Sequence, residues 1–297
     1  MPVSYNNAVK APNQEQEYTP EMIRELALCD ENRLHFIKEH IKIVTGDHGV
    51  VKFGDYMYPF QENLIHDFIN YRFTINLCGR QQGKTVVVGA YALSYAMFES
   101  HKTIGIVSNK EASAKSFLAR IKYMYEKIPS YLKPGVMVWN EKSVKFDNQC
   151  QIMIAATSKD SFRGEPINLL ICDELGFVDP GKANEFFNSN YPTISASNTS
   201  KIIIISTPNG MYNLFHRLYI GAENGTNTFK CNKYDWRSVP TRDEAWAEQE
   251  RRNLGDIQFN QEFGCVFKDT YVTIRDKKTQ KIKTVTIEEL YKELCNE

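Results

Sequence analysis

Phe73-Thr74-Ile75-Asn76-Leu77-Cys78 runs into Gly79-Arg80-Gln81-Gln82-Gly83-Lys84-Thr85 and then Val86-Val87-Val88. A short β-rich run ends in a polar loop, and the loop closes on Gly-Lys-Thr where a helical pattern begins. In that strand–loop–helix setting, backbone N–H groups and a helix N-terminus can cradle phosphate. Lys84 would reach the β/γ-phosphates and the Thr85 hydroxyl would ligate Mg²⁺. One position departs from the usual pattern: Cys78 stands where the first glycine is normal. Gly-Lys-Thr alone is also an ordinary turn before a helix, so the assignment needs partners.

At 297 residues the chain has room for about two domains and a sizeable core. Lys and Arg (36) balance Asp and Glu (36), so nucleic acid would have to meet a local patch rather than a basic molecule. The seven cysteines (29, 78, 150, 172, 231, 265, 295) include no C-x-x-C pair, and the six histidines show no metal-ligand spacing. That argues against a disulfide framework or a zinc site and for a reducing compartment. Neither a signal peptide nor a membrane-length apolar run is present, so a soluble cytosolic protein is expected.

Residues 1–20 are rich in Asn, Gln and Pro and are expected to be disordered. Residues 21–48 read as a helical subdomain: Thr19 caps, Pro20 opens, and Leu34, Phe36, Ile37, Ile41 and Val44 form an apolar helical face up to Gly46. Tyr58-Pro59-Phe60-Gln61 precedes a further helix. The Gln61 amide offers a donor and an acceptor that suit an adenine edge, although an exposed Gln at a helix start is the commoner outcome. After the loop come a helix over 85–100, a strand at Thr103–Ser108 and an amphipathic helix over 110–128. Between Lys115 and Lys145, seven Lys/Arg face two Glu among Tyr123, Tyr125, Tyr131 and Trp139, a candidate polyanion patch or a solvated face. Val144–Phe146 and Gln151–Ala156 read as a hairpin around Asp147-Asn148.

Leu169-Leu170-Ile171-Cys172-Asp173-Glu174 is a buried strand ending in two acids. Asp173 can hold a Mg²⁺ shell and Glu174 can orient and deprotonate an attacking water. Ile202-Ile203-Ile204-Ile205 is another apolar strand, ending in Ser206-Thr207-Pro208-Asn209-Gly210, which can sense a γ-phosphate or serve simply as a turn. Strands alternating with helices predict an α/β, mostly parallel sheet. Lys84, Thr85, Asp173, Glu174 and Thr207 all fall just past strand ends, where ligands bind in such sheets. ATP binding is therefore the leading expectation.

These motifs resemble the large terminase subunit of tailed phages. The similar residues are Tyr58 to Gln61, Gly79 to Thr85, Leu132-Lys133-Pro134-Gly135, Trp139-Asn140, Phe162-Arg163-Gly164, Leu170 to Glu174 and Ser206 to Gly210. The likeness covers about residues 34–264, and an ATPase domain over 49–264 is expected. It implies a P-loop NTPase of the ASCE type that translocates double-stranded DNA into a procapsid, as a homo-oligomer on a portal with a small terminase subunit, in the host cytoplasm. It further implies adenine recognition by Gln61, γ-phosphate charge stabilisation by Arg80 (with Arg163 the competing arginine), phosphate and Mg²⁺ binding by Gly79 to Thr85 and Asp173, catalysis by Glu174, and coupling by Ser206, Thr207 and Pro208. A terminase nuclease domain would follow Gln261-Glu262-Phe263-Gly264, and 33 residues are too few for one.

Residues 265–297 have a different character. Cys265-x-x-x-Asp269-Thr270-x-Val272 resembles the opening block of an intein, followed by a strand, a turn at 276–280, a returning strand and a helix. The resemblance implies that Cys265 attacks the Gly264 carbonyl at the Gly264–Cys265 bond. The downstream blocks of an intein do not occur, and no histidine lies beyond His216. The expectation is an N-terminal split-intein fragment whose partner, supplied in trans, carries the intein remainder and the nuclease; truncation of a contiguous intein is the competing explanation. A helicase-like ATPase without a packaging role, or a non-catalytic DNA-binding scaffold with a vestigial loop, are the alternatives to a packaging motor.

Overall fold

A computed structural model describes residues 8–266, 271–275, 281–286, 289–290 and 292–293. In chain order the described residues form α1 (Pro20–Glu31), α2 (Arg33–His40), β1 (Lys42–Thr45), β2 (Gly49–Lys52), α3 (Pro59–Asn70), β3 (Phe73–Cys78), α4 (Lys84–Phe98), β4 (Thr103–Ser108), α5 (Glu111–Lys127), β5 (Val136–Trp139), β6 (Ser143–Phe146), β7 (Gln151–Ala156), β8 (Leu169–Asp173), α6 (Pro180–Ala196), β9 (Lys201–Ser206), α7 (Leu214–Glu223), β10 (Lys230–Tyr234), α8 (Glu244–Leu254), α9 (Asp256–Phe259), β11 (Tyr271–Arg275) and β12 (Ile282–Thr286). The eight-stranded sheet has the order β10-β3-β9-β8-β4-β7-β6-β5. Its first six strands are parallel, and β6 and β5 continue it antiparallel. The mostly parallel α/β sheet and the 144–156 hairpin are thus as expected.

The central strands are buried along their whole length, yet their side chains still alternate between two apolar layers. Leu169, Ile171, Ile203 and Ile205 face the layer that holds α3, α4 and α5. Leu170, Cys172, Ile202 and Ile204 face the layer that holds α6 and α7. α4 is not amphipathic: it is buried nearly all round, from Val87 to Met97, as a core helix is. A third small cluster, Trp236, Trp246, Ala247, Phe259 and Phe263, lies at the β10 end of the chain's path.

Three segments differ from the sequence reading. The apolar run to Gly46 is not one helix: α2 stops at His40, and β-branched Ile43 and Val44 instead form β1, paired with β2. Strands β5 and β10 went unread because each is short or polar; Lys230-Cys231-Asn232-Lys233-Tyr234 sits at a sheet edge, where solvent takes one side. From Ala8 onward the N-terminal segment is not disordered. Lys10 O accepts from Val136 N at 2.9 Å, Ala8 O accepts from Lys133 Nζ at 2.9 Å, and Val9 is buried. Its polar composition hid a strap whose backbone is satisfied by β5 and its flanks. A Cβ on Gly135 would stand 2.4 Å from Ala11 O, so glycine is what lets the strap pass.

Candidate nucleotide site

The sheet itself assembles the site. β9 lies between β3 and β8, with Ser206 opposite Leu77 and Ile205 opposite Asp173. Neighbouring strands are about 4.8 Å apart, so the loops leaving all three carboxyl ends share one crevice.

The 79–85 loop is braced from below. Gly79 N donates to Tyr234 O at 3.0 Å, which extends the β3–β10 ladder by one residue. Gln82 is fully buried and donates through Nε2 to Asp235 O at 2.6 Å. Gln81 (φ 56°) and Gly83 (φ 72°) take left-handed backbone, so the loop coils before α4 starts. At Gly83 a Cβ would also meet Gln61 Nε2 at 2.7 Å. Gln61 is buried, not exposed: its Oε1 accepts from Tyr58 N at 3.0 Å and its Nε2 donates to Gln82 O at 2.9 Å. Both ends of the amide expected to face adenine are therefore engaged in joining α3 to the loop.

Glu174 is the junction of the three motifs. Its backbone is left-handed (φ 54°), a conformation uncommon away from glycine and tolerated where the surroundings enforce it. Glu174 N donates to Ile205 O at 2.8 Å and fixes the turn against β9. Oε1 lies 2.7 Å from Lys84 Nζ. Oε2 accepts from Ser206 Oγ, Thr207 N and Thr207 Oγ1, each at 3.3 Å. Ser206 Oγ also accepts from Gly176 N at 3.1 Å, and Pro208 is buried. Lys84, Glu174, Ser206 and Thr207 thus form one connected group.

Asp173, one residue back, is buried at the tip of β8. Ser108 Oγ donates weakly to its Oδ2 at 3.4 Å, whereas Oδ1 is buried without a hydrogen-bond partner among the described residues. Burial, aided by the Glu174 charge, pushes the carboxyl up to about 7. An unpartnered buried carboxylate oxygen beside the 79–85 loop fits a hard divalent cation, which would offset both causes of that shift. Thr85, half-buried in the first turn of α4, is the second oxygen on the loop side.

Two residues that sequence reasoning missed hold the loop from the far side. Arg80 N donates to Glu262 O at 2.7 Å, and Arg80 Nε pairs with Glu262 Oε2 at 2.7 Å. Arg242 donates to Arg80 O at 3.2 Å and Gln81 O at 3.1 Å while stacking on Trp246 and Phe263. Neither carries a motif; each works through backbone or packing contacts made by distant parts of the chain. Arg163 is three-quarters exposed and pairs loosely with Asp160.

The 115–145 patch is largely committed to internal partners. Lys115 pairs with Glu141 at 2.8 Å, Lys122 donates to Asn140 O and lies over Trp139, and Lys133 is buried on backbone carbonyls. Cys265 is fully buried, left-handed (φ 51°), and its Sγ donates to Tyr234 O at 3.1 Å. Burial raises its thiol well above the usual range. Asp269, Thr270 and the turn at 276–280 lie outside the described residues, while β11 and β12 pair antiparallel in a sheet of their own.

Solved structures with this fold include the ATPase domain of the large terminase of Thermus phage P74-26 (TM-score 0.56, 19% identity, 68% of this chain and 91% of that one). The large terminase of bacteriophage HK97 aligns with a TM-score of 0.65 at 15% identity, over 82% of this chain and 56% of that one. The large terminase of a thermophilic bacteriophage, in complex with ADP, aligns at 0.56 and 12%, over 81% and 73%. At such identities the likeness is one of fold. In sequence, residues 75–279 match the family model for the N-terminal part of the T4likevirus-type terminase large subunit, a match that runs past Gly264. The chain belongs to that family.

Proposed function

We propose that this chain is the ATP-hydrolysing motor portion of a viral terminase large subunit, which drives double-stranded DNA into a procapsid. The observation that carries the proposal is the Glu174 carboxylate, held at once by Lys84 and by the Ser206–Thr207 strand tip. The thermophilic-phage terminase with ADP supports nucleotide binding by this fold. An arriving γ-phosphate competes for Lys84 and releases Glu174 Oε1 to orient and deprotonate water. Because the other carboxylate oxygen stays on Thr207, any movement of Glu174 is felt directly by β9, and this makes Ser206, Thr207 and Pro208 the coupling element. Thr85 and Asp173 would hold Mg²⁺, which when bound neutralises charge on the β/γ-phosphates. Arg80 supplies γ-phosphate charge after leaving Glu262.

The portal, a small terminase subunit and further copies of the chain are the partners this reading requires, in the host cytoplasm. Adding linear duplex DNA to the full chain should raise its ATPase rate, and Lys84→Ala should abolish both basal and stimulated turnover. A rate indifferent to DNA would remove the packaging role. No turnover in wild type would favour a scaffold with a vestigial loop, and turnover undiminished by Lys84→Ala would take hydrolysis away from this loop.

A second reading concerns the tail, and the separate β11–β12 sheet together with left-handed Cys265 favours it. Residues 265–297 act as an N-terminal split-intein fragment, with Asp269 and Thr270 in its opening block. Cys265 Sγ attacks the Gly264 carbonyl carbon, the Gly264–Cys265 C–N bond breaks, and the freed amine takes a proton. The thiol must first leave Tyr234 O. Co-expression with a partner carrying the intein remainder and the nuclease should give a ligated chain lacking residues 265–297. Ligation that persists in Cys265→Ala would remove this reading.

A further inference from the structure

α1 buries a single residue of its twelve, Cys29, while Ile23 and Leu28 stay exposed. Apolar packing therefore does little to hold α1 in place, and Asn32 is its direct covalent link to α2. Polar side chains meet where the two helices face each other. Glu25 Oε1 is 2.8 Å from His35 Nε2, 2.7 Å from His40 Nε2 and 3.5 Å from Cys29 Sγ. One ligand atom from each of these four residues lies within 4.8 Å of the other three.

We propose that Glu25, Cys29, His35 and His40 form a structural zinc site that clamps α1 to α2. A thiolate, two imidazoles and one carboxylate are the donor set for a borderline-soft divalent ion. Four protein ligands fill a tetrahedron and leave no open position, which marks a structural rather than a catalytic centre. The charge also balances: one carboxylate and one thiolate against a dipositive ion, with both imidazoles neutral. On binding, the Cys29 thiol gives one proton to solvent, and each imidazole gives up the Nε2 proton that it donates to Glu25, carries its proton at Nδ1 instead and coordinates through Nε2. Arg24 and Arg33 are engaged elsewhere, Arg24 by Glu21 and Arg33 by Asp30, Glu99 and the Phe98 carbonyl. The absence of C-x-x-C and of regular histidine spacing argues against zinc in the sequence, because these donors are spread as Glu-x3-Cys-x5-His-x4-His. His35 and His40 stand five apart, off the usual four-residue helical repeat, and the α1–α2 fold brings them together.

Cobalt titration of the full chain tests this. One equivalent should give a thiolate-to-cobalt charge-transfer band with tetrahedral d–d bands, bleached by equimolar zinc. Zinc should also raise the thermal midpoint of wild type but not of Cys29→Ser, which should lose the band. His40→Gln and Glu25→Gln keep every cysteine and should weaken cobalt binding by at least about tenfold, the loss that even outer-shell changes cause. These two variants decide the matter if Cys29→Ser does not fold. No thiolate band in wild type would mean that the four residues form a hydrogen-bonded cluster only. A band unchanged in any of the three variants would place the ion elsewhere.

Discussion

Glu174 and Lys84 were legible as residues because strand-end acids and Gly-Lys-Thr have recognisable neighbours. Their mutual ion pair was not, since about ninety residues of chain separate them and only the β3-β9-β8 order joins them. Gln61 shows the opposite failure: its chemistry suited adenine, but the fold consumes both ends of its amide. Gln61→Ala is therefore expected to weaken ATP and GTP binding about equally, because it loosens the loop; a selective loss of ATP would restore the adenine role. Glu262 had no sequence signal at all, yet it holds Arg80. Glu262→Gln should free that guanidinium and tighten ATPγS binding by roughly two- to fivefold in calorimetry, the scale of a half-exposed ion pair. Unchanged or weaker binding would show that Arg80 does not serve the phosphate.

At the scale of elements, long apolar strands announced themselves through periodicity and the polar ones did not. β10 is visible only as the neighbour that lengthens β3, and the 8–19 strap only as the backbone partner of β5. The small cluster beneath the loop rests on Phe259, which is fully buried against Trp236, Trp246 and Phe263. Phe259→Ala should cost about 3–5 kcal/mol in urea unfolding and weaken nucleotide binding as well, since Phe263 and Glu262 support the loop from there. A destabilised variant with unaltered nucleotide affinity would detach the cluster from the site. The strap carries a pH signature. Burial lowers the Lys133 amine from 10.5 to about 8, so between these values the unfolded chain binds more protons and stability rises with pH. The penalty is complete below pH 8 and fades above it. Relative to Lys133→Met, wild type should gain stability as pH climbs from 8; a constant difference would contradict the burial of the charged amine.

Across the whole molecule, two apolar layers about one sheet place every proposed ATPase group at the carboxyl ends of its strands, with α2 buried in one layer through Phe36 and Ile37 and α1 joined to it by a polar clamp. No helix among the described residues is long and apolar enough to cross a membrane. The central claim is that one carboxylate links phosphate sensing to turnover, and the turnover number of Glu174→Gln in the full chain tests it most directly. Nucleotide binding should persist, because Lys84 and the loop remain, while kcat falls by about 10²–10⁴, the share that general-base catalysis supplies. A kcat matching wild type, with ATP still bound, would contradict the account.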